Sequence, residues 1–77
     1  MYVTDWCPVC RKARAFLNSL RVNLIEYDVE KNEARNKERL RKSGGRKGVP
    51  LIDIEGVILR GFDSVDIRAA IEQKRIY

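Results

Sequence analysis

The chain contains no histidine, only two cysteines and two prolines, and no long apolar stretch. Each shortage removes a class of function. Without histidine there is no Cys–His catalytic pair, so any proton transfer must use water, a carboxylate or a thiol. Two cysteines are too few for the disulfide framework of a small secreted domain. Cys7 and Cys10 also stand too close to staple distant segments, because closing so short a loop removes little chain entropy. Reactivity explains the pair better than stability does. No apolar run approaches the roughly 20 residues of a membrane-spanning helix, so no membrane association is expected. Residues Met1-Tyr2-Val3-Thr4-Asp5-Trp6 have neither a basic nor an apolar leader region. That predicts no secretory signal and a cytoplasmic location.

What is present describes one ordinary globular domain over residues 1–77, with 44% hydrophobic residues. Lys and Arg number 16 against 11 Asp and Glu, a net charge of +5. Much of the excess lies in Lys37, Arg39, Arg41, Lys42, Arg46 and Lys47. One reading is a solvated helix face and loop. Another is a docking surface for an acidic protein or an anionic substrate. No aromatic residue interleaves the stretch, so base stacking has no platform and nucleic-acid binding is not expected.

The order of elements reads β-α-β-α-β-β-α. Tyr2–Thr4 is a short strand leading to the cysteines. From Pro8, the residues Ala13, Phe16, Leu17 and Leu20 recur at helical spacing and line one face. Pro8 suits a first helical position, where its missing N–H has no intrahelical partner anyway. Leu24–Val29 is rich in strand formers. Asn32–Lys42 is a polar helix with Ala34 and Leu40 as its few apolar residues, ended by Ser43-Gly44-Gly45. Pro50–Ile54 and Val57–Arg60 form a hairpin around Glu55-Gly56. Asp63 is a natural N-cap for a last helix over Ser64–Lys74, whose apolar side offers Val65, Ile67, Ala70 and Ile71. The first two strands, joined by a helix, should be parallel, and the last two, joined by a tight turn, antiparallel. The expected architecture is an α/β domain of thioredoxin-like class, a four-stranded mixed sheet with three helices.

The chemistry concentrates in Cys7-Pro8-Val9-Cys10. Two thiols at i and i+3 on one helical turn lie within the roughly 4.4–6.8 Å that a disulfide requires between Cα atoms. Cys7 precedes the helix, so its sulfur can face solvent and the unpaired N–H groups of the first turn. Those groups and the helix dipole favour a thiolate. Arg11, Lys12 and Arg14 push the same way, although exposed charges are screened. Cys10 lies one turn inward and should be less accessible. This asymmetry predicts Cys7 as nucleophile and Cys10 as resolving thiol. A zinc site is the competing reading, but zinc takes four ligands and the chain has no other Cys and no His. No metal ligand set is expected within one chain. An idle surface pair is a third reading.

These residues resemble the glutaredoxin family. The strand before Cys7-Pro8-Val9-Cys10, the segment Lys47-Gly48-Val49-Pro50 and the segment Arg60-Gly61-Phe62-Asp63 match it in order and spacing. The likeness covers essentially the whole chain. It is strongest to the small bacterial and archaeal redoxins of that family. The resemblance implies a dithiol oxidoreductase acting as a monomer on protein disulfides or glutathione mixed disulfides. Glutathione then serves as co-substrate, with no covalently bound cofactor. Electrons come from glutathione or a thioredoxin reductase. It also implies a cis-proline at Pro50, against an ordinary trans-proline opening a strand, and with it a Val49 backbone free to pair with substrate. Gly61 would permit close approach or positive φ. Asp63 and Ser64 would hold the γ-glutamyl end of glutathione, or simply cap the helix, while Arg35 or Lys37 would meet a glutathione carboxylate. The departures are Thr4 where many members have Lys, Val9 in place of an aromatic, Trp6 before the first cysteine, Gly48 for a hydroxyl residue, and Phe62. Some members instead bind an iron–sulfur cluster between two chains, which is the alternative function. Pro8 argues against it, since dedicated cluster binders usually carry glycine there.

Overall fold

A computed structural model describes residues 1–75 of the protein. Its elements run β1 (Tyr2–Val3), α1 (Pro8–Ser19), β2 (Tyr27–Asp28), α2 (Glu33–Ser43), β3 (Leu51–Ile54), β4 (Val57–Arg60) and α3 (Ser64–Arg75). The sheet order is β2-β1-β3-β4. β1 pairs parallel with β2 and antiparallel with β3, and β3 pairs antiparallel with β4. This is the thioredoxin-like fold, in the order the sequence predicts.

One apolar cluster joins α1, α3 and the sheet. Ala13 and Leu17 of α1 meet Ile67 and Ile71 of α3 over Val3 and Ile52, and both cysteines belong to the same cluster. Burying these side chains is what holds α1, and therefore the Cys7 end of it, at a set height above the sheet. A smaller cluster of Tyr2, Val29 and Leu51 fills the other face, where α2 lies across β1, β2 and β4.

Two expectations need correction. Val65 does not join the core and is 72% exposed. It stands two residues before Ile67, about 200° around the helix, so the face that buries Ile67, Ala70 and Ile71 turns Val65 to water. The second strand is limited to Tyr27–Asp28, the residues in register with Tyr2 and Val3. Ile25 is exposed, although its carbonyl accepts the Met1 ammonium at 2.7 Å.

Helix α2 buries Arg39 and Ser43, while Ala34 is exposed. Its underside is polar. Lys42 donates to the Tyr2 hydroxyl at 2.8 Å and to Asp53 at 2.6 Å, and Tyr2 in turn donates to Glu38. The bond to Asp53, then that to Tyr2, hold the Lys42 ammonium charged well above its ordinary range. Arg39 and Lys42 are thus bound into the fold. Lys37, Arg41, Arg46 and Lys47 form the solvated remainder of the basic stretch.

The hairpin turn has positive φ at both Glu55 (47°) and Gly56 (97°), the geometry that matches strand twist in a two-residue loop. Asp53 Oδ1 reinforces it by accepting the Gly56 N–H at 2.8 Å.

Because Ile67 is fully buried between α3 and α1, Ile67→Ala should lower unfolding free energy by about 2–5 kcal/mol in urea denaturation. Val65→Ala should change it by less than about 0.5 kcal/mol.

Candidate functional site

The two cysteines meet at the start of α1. Cys7 has extended backbone (φ −85°, ψ 108°) and is the N-cap, with Pro8 opening the helix. Its Sγ accepts the Cys10 backbone N–H at 3.1 Å. The sulfur therefore occupies the place that a Ser or Asp oxygen takes at most helix starts, satisfying a first-turn donor. Both thiols are free.

Burial differs from expectation at Cys7. The residue is only 4% exposed and belongs to the apolar cluster, so its sulfur faces the helix mouth but is largely covered. Its place in that cluster, and not the capping role, accounts for this, because the caps Asn32 of α2 and Asp63 of α3 are exposed. The residues flanking it in the chain, Trp6 and Pro8, are exposed. Cys10 is 1% exposed, deeper by a small margin. Burial, with the hydrogen bond to Cys7 next in size, pushes the Cys10 thiol up to about 12. Cys10 thus holds its proton throughout neutral pH. Arg14, one of the cations expected to act on the thiols, is paired with Glu26 at 2.8 Å.

The other residues singled out in the sequence divide into two groups. Val49 and Phe62 pack against the cluster that contains both cysteines. Phe62 meets Phe16 edge to face, with centroids 5.7 Å apart. The Val49–Pro50 peptide is cis, as the resemblance implied, and Pro50 is buried. Val49 N–H and C=O have no hydrogen-bond partner among the described residues. Gly61 donates its N–H to Pro50 O at 2.9 Å. Its φ of 85° requires glycine, whereas an added Cβ would meet nothing within 4 Å, so positive φ and not close approach explains it.

The second group is exposed or already engaged. Asp63 and Ser64 are exposed, and Asp63 Oδ1 caps α3 by accepting the Val65 N–H at 3.0 Å and the Asp66 N–H at 3.3 Å. Arg35 is taken up by Glu38 at 3.0 Å and by the Tyr27 ring, and Lys37 by Glu33 at 3.7 Å. No group of three or more His, Cys, Asp or Glu side chains converges as metal ligands among the described residues.

A cavity of about 450 Å³ is lined by Thr4, Trp6, Val29, Glu30, Asn36, Arg39, Lys47 and Val49, and by neither cysteine. Trp6 is held over it by a 2.8 Å bond from its indole N–H to Glu30. Arg39 was read in the sequence only as part of a charge run. Instead it is buried and donates to the carbonyls of Lys47 and Gly48. Its signal was there in the spacing: Asn36, Arg39 and Ser43 stand at i, i+3 and i+7, a polar stripe on one helix face.

The glutaredoxin family model matches residues 1–59. A glutaredoxin-like 8.6 kDa protein from the rubredoxin operon of Clostridium pasteurianum is 32% identical over 73 residues, covering 95% of this chain and 96% of that protein. The chain belongs to the glutaredoxin family. Glutaredoxin 3 of Escherichia coli K12 is 34% identical over 65 residues, covering 84% of this chain and 77% of its own. Glutaredoxin 1 of Rickettsia felis is 36% identical over 66 residues, and the match spans 65% of its length. Membership brings thiol–disulfide oxidoreductase chemistry in general. The capped, buried thiol pair is the feature of this glutaredoxin-family chain that such chemistry would use.

Alkylation tests the electrostatics of the pair. With the Cys10 thiol held protonated near 12, iodoacetamide at pH 7–8 should give a singly modified folded protein, with the adduct on Cys7 by peptide mass mapping. A doubly modified folded species would contradict the raised Cys10 pKa.

Proposed function

We propose that the protein is a cytoplasmic, monomeric dithiol reductant of protein disulfides, with Cys7 as nucleophile and Cys10 as resolving thiol. The observation that carries this reading is the Cys10 N–H bonded to Cys7 Sγ at the mouth of α1. A donor in that position stabilises negative charge on sulfur, and the helix start adds its dipole.

The reaction balances within the pair. Cys7 thiolate attacks one sulfur of the substrate disulfide. A Cys7–substrate disulfide forms and the other substrate sulfur leaves as a thiolate. Cys10 then gives its proton to water or to a departing thiolate and attacks Cys7 Sγ. The Cys7–Cys10 disulfide forms, and the second substrate sulfur leaves reduced. Two electrons pass from the pair to the substrate. Two external thiols, glutathione or those of a thioredoxin reductase, return them. Burial, and next to it the hydrogen bond to Cys7, keeps the Cys10 thiol protonated, so in this reading it gives up that proton as it attacks Cys7 Sγ.

Val49, Pro50 and Gly61 form the substrate-facing backbone in this reading. Val49 offers an unpaired N–H and C=O, and an extended chain beside Cys7 would take both. Asp63 and Ser64 lie at the N-terminus of α3, which favours a carboxylate such as the γ-glutamyl end of glutathione. Thr4 in place of a cation and the aromatic Phe62 favour protein disulfides over small glutathione adducts. A reducing role fits a reducing compartment.

Substitution of each cysteine separates the roles. Cys7→Ser should reduce disulfide turnover to background. Cys10→Ser should accumulate a mixed disulfide with the substrate protein, seen as a reducible band whose partner mass spectrometry identifies. If only glutathione is ever trapped, the assignment to protein disulfides fails.

A further inference from the structure

We propose that Arg39 is a positioning residue for disulfide exchange: it fixes the carbonyls of Lys47 and Gly48 so that the Val49 backbone stays turned to the substrate. The inference rests on the reading of Val49 as the pairing segment.

Arg39 is a costly choice where it stands. It is 6% exposed, and no carboxylate pairs with it among the described residues. A buried guanidinium without a counter-charge must recover its lost hydration from hydrogen bonds. Arg39 recovers it from Nη1 to Lys47 O, with Gly48 O a longer second acceptor of the same nitrogen at 3.5 Å, and from Nη2 to Asn36 Oδ1. The planar fork of arginine suits this, since its donors can reach successive carbonyls and a side-chain amide together. An apolar residue would fill the same place beneath the loop more cheaply, but it would leave both carbonyls unheld.

The consequence falls on the next residue. On one side of Val49, Arg39 holds the carbonyls of residues 47 and 48. On the other, Gly61 N–H holds Pro50 O at 2.9 Å. Val49 alone has a free N–H and a free C=O between these anchors. Both its neighbours being tied, its peptide groups have little freedom to swing away from an incoming chain. The fold does not saturate Arg39 either. Its Nε is buried without a partner among the described residues, as is Thr4 Oγ1, and both residues line the cavity that Trp6 and Val49 share. The guanidinium thus stands between the loop it holds and the space a bound chain would enter.

Two substrates distinguish positioning from simple stability. One is a disulfide-bonded extended peptide, which needs backbone pairing. The other is 5,5′-dithiobis(2-nitrobenzoate), which has no peptide backbone to pair. Arg39→Met should lower kcat/KM on the peptide by about 10- to 100-fold, mainly through KM, and leave the rate with the aromatic disulfide within about twofold. Arg39→Lys should recover part of the loss, because an ammonium can still hold one carbonyl. In ¹⁵N spectra, the Gly48 and Val49 amides of Arg39→Met should shift while those of α3 do not. If Arg39→Met fails to fold, Arg39→Lys and Arg39→Gln carry the same comparison. Equal losses on both substrates, or none on either, would overturn the inference. A wild-type protein inactive on both substrates would instead overturn the oxidoreductase reading itself, and this one with it.

Discussion

The hydrogen bond from the Cys10 N–H to the Cys7 sulfur is the contact on which the rest of the site depends. A helix begins with backbone donors that need acceptors, and here a thiol sulfur supplies one. That single substitution of sulfur for oxygen puts a thiol, one turn from Cys10, at the cap of α1. Pro8 contributes by opening the helix without a donor of its own to satisfy.

Everything beneath that contact serves to hold α1 still. Ala13, Leu17, Ile67 and Ile71 interlock two helices over Val3 and Ile52, and the cysteines are the upper edge of the same cluster. Opposite lies a different kind of layer. Helix α2 meets the sheet through Lys42, Glu38, Tyr2 and Asp53, a hydrogen-bonded set in which each charge has a partner. Such a layer sets register through direction, where an apolar layer sets it through shape. Arg39 extends the polar layer upward to residues 47 and 48, beside the cis Val49–Pro50 peptide. The apolar face thus fixes the thiols and the polar face fixes the loop opposite them.

Where elements were legible in the sequence, a local rule sufficed. Pro8 and the helical recurrence of Ala13 and Leu17 marked α1, Asn32 and Gly44 bounded α2, and Glu55-Gly56 marked the hairpin. Misreadings arose where a neighbour decided. Val65 is apolar and helical, yet only the position of α1 determines which arc of α3 is covered. The strand propensity of Leu24–Val29 is real, but a strand needs a partner in register, and only Tyr27 and Asp28 have one. Composition made Arg39 a surface charge, when the loop above it supplies the acceptors that let it be buried. The site was legible to the same degree: its two sulfurs from their spacing, its opposite wall only through likeness to a family.

The sequence alone determined that two thiols stand three residues apart at a helix start in a chain without histidine, because covalent spacing and helix geometry are local properties. Tertiary structure decided how exposed those thiols are, how firmly Cys10 keeps its proton, and which backbone groups stay unpaired beside them. Burial and hydrogen bonding between residues distant in the chain set those quantities, and no window of the sequence contains both partners at once.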